Sequence, residues 1–194
     1  AGGEGVRLRP LTRFISQDDR PKQFCPLYSD ITLLEQARKR AERCILPDQI
    51  LYSLNRVHEK FYRHSLFDCP AQRVIQPSNR GTAPAILTGL RLIADRDKDA
   101  CVAVLPSDHH FSNNAGFNDS LKTAFSLASR FEDYVVLLGA TPDRPETEYG
   151  WIKPATPFTA AAGTYFVEGF EEKPSLLDAQ TFLEQGCLWN TFIM

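Results

Sequence analysis

Glycines and basic side chains crowd the first 22 residues, and both residue types suit the binding of phosphate groups. Three glycines fall within four positions, at Gly2, Gly3 and Gly5. Glycine tolerates positive φ and lets backbone N–H groups approach phosphate oxygens closely. Among the basic residues that follow are Arg7 and Lys22. The spacing matches neither G-x-G-x-x-G nor the Walker sequence, so by itself it indicates phosphate binding or a simple glycine-rich turn.

A carboxylate after a hydrophobic stretch is the second feature that could do chemistry. Asp108 follows the apolar run Cys101–Leu105, and functional residues of parallel sheets gather where strands end. Hard Mg²⁺ prefers carboxylate oxygens, although an Asp in this place also caps turns. We do not expect His109 and His110 to form a zinc or catalytic-base site, because adjacent residues of an extended chain point to opposite faces. Structural roles are predicted for both.

These residues need a scaffold, and the sequence predicts an α/β fold with a mostly parallel sheet. Apolar, β-rich runs alternate with helical patterns, which indicates parallel strands joined by crossover helices. The predicted strands are Ile50–Ser53, Arg73–Gln76, Cys101–Leu105 and Tyr134–Leu138. Beyond Gly139 the alternation weakens, and frequent prolines predict loops and short antiparallel strands. A last strand is predicted near Leu188–Ile193.

Helix signals are clearer than strand signals. Thr32 and Glu35 form a Thr-x-x-Glu capping box at the start of the first predicted helix. Further helices are predicted from near Thr82 with Pro84 in the first turn, over about Ala115–Arg130, and near Ser175–Gln185. The helix over 115–130 is expected to bury Phe117, Leu121, Ala124, Phe125 and Ala128. A surface helix without a functional role is predicted around His58 and His64.

Bulk composition describes an ordinary globular protein and excludes several classes. The 194 residues are 43% hydrophobic and 24% charged, which fits a single domain with a core large enough to fold. A net charge of −2 gives no general attraction to nucleic acid or to a membrane. The longest apolar runs are too short to span a bilayer, and no signal peptide is recognised. Five cysteines without a Cys-x-x-Cys pattern favour a reducing cytoplasm over disulfides or zinc.

Six further motifs, in order, extend the glycine loop into a family pattern. The loop reads Gly-Gly-x-Gly-x-Arg-Leu-x-Pro-Leu-Thr over residues 2–12. The other motifs are Pro-Lys-Gln-Phe at 21–24, Gln-Pro-Ser-Asn-Arg-Gly-Thr-Ala-Pro-Ala at 76–85, Leu-Pro-Ser-Asp-His at 105–109, Thr-Glu-Tyr-Gly-Trp-Ile at 147–152, Glu-Lys-Pro at 172–174 and Leu-Trp-Asn-Thr at 188–191. Together they resemble the sugar-phosphate nucleotidyltransferases. The Pro-Lys-Gln-Phe form is similar to the mannose-1-phosphate guanylyltransferase branch.

The resemblance implies a Rossmann-like nucleotidyltransferase core, a reaction and a set of roles. The reaction is transfer of a guanylyl group from GTP to α-D-mannose 1-phosphate with Mg²⁺, giving GDP-mannose and pyrophosphate. Arg7 and Lys22 would act on the triphosphate, and Asp108 would bind the metal. The residues implied for nucleotide binding are Gly2, Gly3, Gly5, Gln76, Asn79 and Gly81. Those implied for the sugar phosphate are Gly150, Glu172, Lys173 and Asn190.

Two other readings stay open. One is a nucleotidyltransferase of the same fold that uses glucose 1-phosphate with UTP or dTTP. The other is a non-catalytic, nucleotide-sensing subunit, which would be expected to have lost the cations or the metal carboxylate. A cytidylyltransferase with a similar glycine loop would not be expected to show the motifs at 80–85 and 172–174. The sequence leaves a homo-oligomer open.

The two ends of the sequence predict that it is a fragment of a longer protein. The sequence lacks an initiator Met and stops at Met194, before the second metal-binding Asp that the family resemblance implies. We therefore expect one incomplete domain over 1–194, a fragment that is inactive alone and lacks a central strand before the glycine loop. That missing strand would leave Ile50–Ser53 and Cys101–Leu105 unpaired with each other.

Overall fold

The computed structural model describes residue 3 and residues 5–194. The chain forms two compact units. The first takes in the described residues up to Val102 together with Pro106–Asp119, and the second takes in Ala103–Leu105 and Ser120–Met194. No helix among the described residues combines the length and apolar character needed to cross a membrane.

The first unit builds a small parallel sheet surrounded by helices. Its helices are α1 (Arg9–Ser16), α2 (Leu33–Ala41), α3 (Glu59–Tyr62), α4 (Thr82–Ala94) and the start of α5 (Asn114–Arg130). Its strands are β1 (Leu51–Asn55) and β2 (Gln72–Gln76), with 3-10 turns at Val6–Leu8, Lys22–Phe24, Pro47–Gln49 and Arg56–His58. β1 and β2 pair in parallel from Leu51↔Gln72 to Asn55↔Gln76. The carboxyl ends of the two strands therefore lie side by side.

The core of this unit lies around β1, and its buried members are Phe24, Leu34, Tyr52, Leu54, Tyr62, Leu66 and Ala71. The capping box that starts α2 is confirmed in both halves. The Thr32 hydroxyl oxygen accepts from the Glu35 N–H at 3.2 Å, and the Glu35 carboxylate accepts from the Thr32 N–H at 2.8 Å. These bonds fix where α2 begins, which sets the helical face that carries Leu33, Leu34, Arg40 and Ala41 into the interior.

The second unit is an antiparallel sheet with one packed helix. Its elements are β3 (Leu138–Ala140), β4 (Gly150–Pro157), β5 (Tyr165–Glu172), α6 (Leu176–Glu184) and β6 (Leu188–Ile193), with strand order β3-β6-β4-β5. Ser175 caps α6 by accepting a hydrogen bond from the Asp178 N–H at 3.2 Å. The core of this unit contains Trp151, Ala179, Phe182 and Cys187. The predicted final helix and final strand are thus confirmed.

Two of the predicted strands are wrong. Within the part of the chain that is described, Cys101–Leu105 forms no strand, and Tyr134–Leu138 contributes only its last residue, where β3 begins. An apolar run predicts burial, but a strand also needs a hydrogen-bonded neighbour. Here Val104 alone exchanges two backbone hydrogen bonds with Met194, at 2.7 and 3.4 Å. No second partner strand of β1 occurs among the described residues.

Smaller expectations also change. In α5, Phe117 and Leu121 are buried as predicted, whereas Ala124, Phe125 and Ala128 are only half-buried. Leu127 is buried instead. His58 does not lie in a surface helix: it ends a 3-10 turn, is 6% exposed, and places its ring edge against Phe24 at 5.7 Å. The local pattern did not reveal this, because the burial of His58 depends on a residue 34 positions away.

Candidate functional site

The proposed phosphate-binding cation and the proposed metal carboxylate meet in the first unit. The Lys22 Nζ lies 2.9 Å from Asp108 Oδ2, and the two side chains are 31% and 28% exposed. Lys22 starts the 3-10 turn behind Pro21, and Asp108 lies in the turn after residues 101–106. A partly exposed ion pair contributes little stability. A phosphate group can therefore take the place of Asp108 beside Lys22, and a metal cation can take the place of Lys22 beside Asp108, at little cost in stability.

The glycine loop contacts the same turn. Gly5 has φ +59°, and a Cβ there would lie 3.2 Å from the Lys22 backbone nitrogen. The Gly3 carbonyl accepts a hydrogen bond from Gln23 Nε2 at 2.8 Å. Gln23 is 2% exposed, so it ties the loop to the turn from the interior. Sequence reasoning gave Gln23 no role, although the Pro-Lys-Gln-Phe motif already contained it.

Two other residues, Arg7 and Gly2, were predicted to belong to this site. Arg7 lies in the 3-10 turn Val6–Leu8 with an exposed side chain, close in sequence to the glycine loop. Gly2 lies outside the described residues. The loop, the turn and the Asp108 carboxylate thus bring together backbone amides, cations and an acid, which is what a bound polyphosphate and its metal require.

A buried arginine supports the loop that carries Asp108. Arg40 is 5% exposed, and its Nη2 donates to the His109 carbonyl at 2.8 Å. Its guanidinium carbon lies 4.9 Å from the Phe111 ring centre and 5.5 Å from that of Phe117. Burial lowers the pKa of Arg40 from its ordinary value. Sequence reasoning missed this residue, although its position three residues after Ala37 puts it on the apolar face of α2.

The two histidines beside Asp108 have separate surroundings. His109 Nε2 lies 3.8 Å from Asp108 Oδ1. Burial lowers the pKa of His109, and this effect exceeds the opposing one of the Asp108 carboxylate, so the ring is mostly neutral at pH 7. His110 stacks on Tyr28 at 4.5 Å, with its Nδ1 3.2 Å from the Gln36 side-chain oxygen. No group of three or more His, Cys, Asp or Glu side chains suited to a metal occurs among residues 3 and 5–194.

One carboxylate is still compatible with magnesium. Mg²⁺ is commonly held by one or two carboxylates together with substrate phosphates and water, rather than by an all-protein cage. Asp108 is partly exposed and adjoins the glycine loop through Lys22. The donor set therefore fits a metal that arrives with a nucleotide and does not fit a structural metal.

The residues predicted to read the base occur at the end of β2 and the start of α4. Gln76 is the last residue of β2, and its Nε2 donates to the Ser53 hydroxyl on β1 at 2.9 Å. Asn79 accepts from the Gly81 N–H at 3.0 Å, and Gly81, with φ +91°, precedes α4. Ser53 thus orients the Gln76 amide, a contribution that the sequence did not indicate because it crosses between strands.

Three of the residues predicted for the sugar phosphate lie on three neighbouring strands of the second unit, and the fourth, Lys173, directly follows one of these strands. Gly150 on β4 is paired with Glu172 on β5, and β6, which carries Asn190, is the other neighbour of β4. Lys173 follows β5 with φ +51°, and its N–H donates to the Tyr149 carbonyl at 3.2 Å. The Asn190 side-chain oxygen accepts from the Phe192 N–H at 2.9 Å.

Two tryptophans lie on the same strands, Trp151 on β4 and Trp189 on β6. Trp189 meets Tyr149 edge-on at 5.3 Å, and the Arg144 guanidinium lies 5.3 Å from its ring centre. Trp151 is fully buried, and its indole N–H donates to the Glu146 carbonyl at 2.8 Å. Trp151 is therefore a core residue, and Trp189 is half-buried at the edge of that core.

The missing side chain of Gly150 leaves space for the Glu172 carboxylate, so a substitution at this position tests the predicted role of Glu172. A Cβ at position 150 would lie 2.6 Å from the Phe170 ring and 2.7 Å from the Glu172 carboxylate. In Gly150→Ala both side chains must move, so we expect a stability loss of about 1 kcal/mol. The family resemblance implies that the Glu172 carboxylate accepts a hydrogen bond from the sugar, and on that role its displacement should raise the KM for the sugar phosphate roughly tenfold.

The matched control is Gly169→Ala on the same β4–β5 ladder. There the nearest side-chain atom to a new Cβ is Lys153 Cδ at 3.5 Å, an ordinary contact. Steady-state kinetics with thermal unfolding separate the two effects. An unchanged KM in Gly150→Ala, or an equal rise in Gly169→Ala, would remove Gly150 and Glu172 from the sugar site.

Comparison with known proteins places these features in a family. The family model described as Nucleotidyl transferase matches residues 1–194. The mannose-1-phosphate guanylyltransferase ManC of Salmonella typhimurium is 34% identical over 199 residues, which covers 98% of this chain. The xanthan biosynthesis protein XanB of Xanthomonas campestris pv. campestris is 33% identical over 195 residues, again 98% of this chain. The chain spans 40% and 39% of the lengths of these two relatives.

A solved structure gives the same result. A Thermus thermophilus protein described as a mannose-1-phosphate geranyltransferase superimposes with a TM-score of 0.85 and 34% sequence identity. The match covers 99% of this chain and 54% of that protein. The predicted α/β fold, with parallel strands, helices and an antiparallel part late in the chain, is thereby confirmed, and the antiparallel part forms a sheet of its own.

Proposed function

Because this chain belongs to the nucleotidyl transferase family, we propose that it transfers a guanylyl group from GTP to α-D-mannose 1-phosphate and releases pyrophosphate. The observation that carries the proposal is the Lys22–Asp108 pair beside the glycine loop. Support for this base and sugar comes from the relatives named mannose-1-phosphate guanylyltransferase. The five cysteines are all free, which agrees with the further proposal of a cytoplasmic location.

The reaction needs charge control rather than a base. An oxygen of the sugar phosphate forms a bond to the α-phosphorus of GTP, and the bond from that phosphorus to the bridging oxygen breaks, so pyrophosphate leaves with the electron pair. A phosphate monoester is largely dianionic at neutral pH, since its second pKa is about 6. No proton has to be removed from the nucleophile. The neutral His109 is accordingly not assigned a proton-transfer role.

The first-unit residues neutralise and align the anions. The N–H groups of the glycine loop face phosphate oxygens, while Arg7 and Lys22 lower the repulsion between nucleophile and triphosphate. Lys22 leaves its pair with Asp108 to contact the α-phosphate, where negative charge builds up in the transition state. Asp108 would hold Mg²⁺, which when bound supplies positive charge to the phosphates. In-line alignment by these fixed groups supplies the remaining rate increase.

The two substrates are recognised by different groups. The Gln76 side chain, oriented by Ser53, offers the donor and acceptor atoms that a guanine edge needs, and Asn79 and Gly81 flank it. Glu172 accepts hydrogen bonds from sugar hydroxyls, and Lys173 pairs with the sugar phosphate. Gly150 and Asn190 shape the same strands.

Competition between nucleotides tests the base assignment. With GTP, UTP, dTTP and CTP present together, we expect GTP to be consumed fastest, because a wrong base leaves polar groups unpaired at about 1–3 kcal/mol each. Gln76→Ala should reduce the preference for GTP roughly tenfold. The readout is the ratio of nucleotide sugars formed by the full-length protein, separated by chromatography.

Gln72→Ala is the control, since Gln72 lies at the opposite end of β2 and should leave the preference unchanged. Faster turnover with UTP or dTTP would replace the guanylyl assignment by the glucose 1-phosphate alternative. Binding of GTP without turnover of any sugar phosphate would favour a nucleotide-sensing subunit instead.

A further inference from the structure

We propose that Arg40 is a positioning residue that holds the Asp108 loop in the shape required for metal and triphosphate binding. It acts through the backbone carbonyl of His109, the residue next to Asp108. The proposal rests on the function proposed above, because it assigns a purpose to the position of the Asp108 carboxylate.

Arg40 makes an unusual set of contacts for a buried cation. None of the ion pairs among the described residues includes it, and burial lowers its pKa. Its partners are the His109 carbonyl at 2.8 Å and the rings of Phe111 and Phe117. A buried charge is costly unless it is hydrogen-bonded or otherwise compensated. An apolar side chain would fill this space with a smaller desolvation cost. We therefore attribute the presence of a guanidinium here to the contacts that it makes.

Two of those groups belong to one short segment, and the third, the Phe117 ring, lies on α5. Residues 109 and 111 both contact Arg40, and the Asp108 carboxylate pairs with the Lys22 ammonium. The guanidinium itself projects from the last turn of α2. The capping box fixes the opposite end of that helix. The segment that carries Asp108 is therefore held by α2 through the His109 carbonyl, and its carboxylate is held by the Lys22 ammonium.

Three variants separate positioning from simple stability. Arg40→Met keeps an apolar stem and removes the cation and the donor, whereas Arg40→Lys keeps a cation with one donor group. Lys39→Met is the matched control, because Lys39 is an exposed cation on the same helix. In the full-length protein we measure amide hydrogen exchange of residues 108–111 without metal, Mn²⁺ binding by electron paramagnetic resonance, and the Mg²⁺ dependence of turnover.

In Arg40→Met we expect exchange at 108–111 and the concentration of Mg²⁺ for half-maximal activity each to rise on the order of tenfold, the size of one lost hydrogen bond to a charged group. Mn²⁺ binding should weaken by a similar factor, while the KM for the sugar phosphate stays unchanged. Arg40→Lys should lie between Arg40→Met and the unmodified protein, and Lys39→Met should match the unmodified protein. A merely structural role would lower the melting temperature without moving the metal dependence.

Unchanged exchange at 108–111 in a folded Arg40→Met protein would overturn the proposal, as would unchanged Mn²⁺ binding. If Arg40→Met does not fold, the same two measurements on Arg40→Lys decide, and values equal to the unmodified protein would reject positioning. The exchange and Mn²⁺ measurements need no substrate. A positive result there in a protein that turns over no nucleotide would reject the proposed function and leave the positioning role in place.

Discussion

Lys22→Ala is expected to lower kcat on the order of 10²-fold, the cost of removing one preorganised electrostatic donor from a transition state. The Lys22 ammonium is within 2.9 Å of Asp108, so it already stands where the nucleotide phosphates are proposed to bind. Its effect should be largest as charge builds up on the α-phosphate, and KM values should change less than kcat. Steady-state kinetics of the full-length protein with GTP and mannose 1-phosphate measure both.

The control for this variant is Lys98→Ala, which removes an exposed lysine elsewhere in the same unit. It should leave kcat unchanged. If Lys22→Ala retains near-normal kcat while its fold is intact, Lys22 is a structural cation and the proposed phosphate site is misplaced.

Asp108→Asn is expected to lose Mg²⁺-dependent turnover by about 10²-fold or more while the protein remains folded. The amide keeps the shape of the side chain, but it replaces an anionic ligand that Mg²⁺ prefers by a neutral one. Stability should change little, because the ion pair that is lost is partly exposed. A titration of turnover against Mg²⁺, together with thermal unfolding, tests both parts.

Asp99→Asn is the matched control, since Asp99 is exposed in the same unit. Asp108→Asn combined with Lys22→Ala should cost less than the sum of the two single changes, because groups in direct contact are not independent. Full additivity, or normal Mg²⁺ dependence in Asp108→Asn, would argue against a shared metal and phosphate site.

Local sequence signals predicted where α2, α4 and α6 begin, but they did not predict α1 (Arg9–Ser16). The Thr32–Glu35 box, the start of α4 at Thr82 and the Ser175 cap all depend on residues within three positions of each other. Backbone groups at a helix end must find partners nearby, so the sequence itself carries the information. Parallel pairing of β1 with β2 was also predictable, because apolar runs alternate with helical segments.

Strand positions that depend on distant partners could not be predicted as well. The Cys101–Leu105 run is apolar enough for a strand, yet only Val104 finds backbone partners, at the residue that ends the chain. Likewise, β3 begins at Leu138 because β6, much later in the chain, supplies its neighbour. Register and partner choice are non-local, which is why composition alone misplaced both strands.

In the candidate site, too, local motifs were predictive and contacts between distant residues were not. The motifs indicated Lys22 and Asp108, and the structure brings the two side chains to 2.9 Å. They did not indicate Ser53 or Arg40, because these residues act on a motif from another strand or helix. A charged residue on the apolar face of a predicted helix was the available signal for Arg40.

The central claim is that the sugar phosphate attacks the α-phosphorus of GTP. The most direct measurement follows the label from α-³²P GTP in the full-length protein with mannose 1-phosphate and Mg²⁺. The account predicts that the label enters GDP-mannose and that unlabelled pyrophosphate appears in equal amount. Label in free GMP, label retained in GTP while another nucleotide is consumed, or release of orthophosphate instead of pyrophosphate would contradict it.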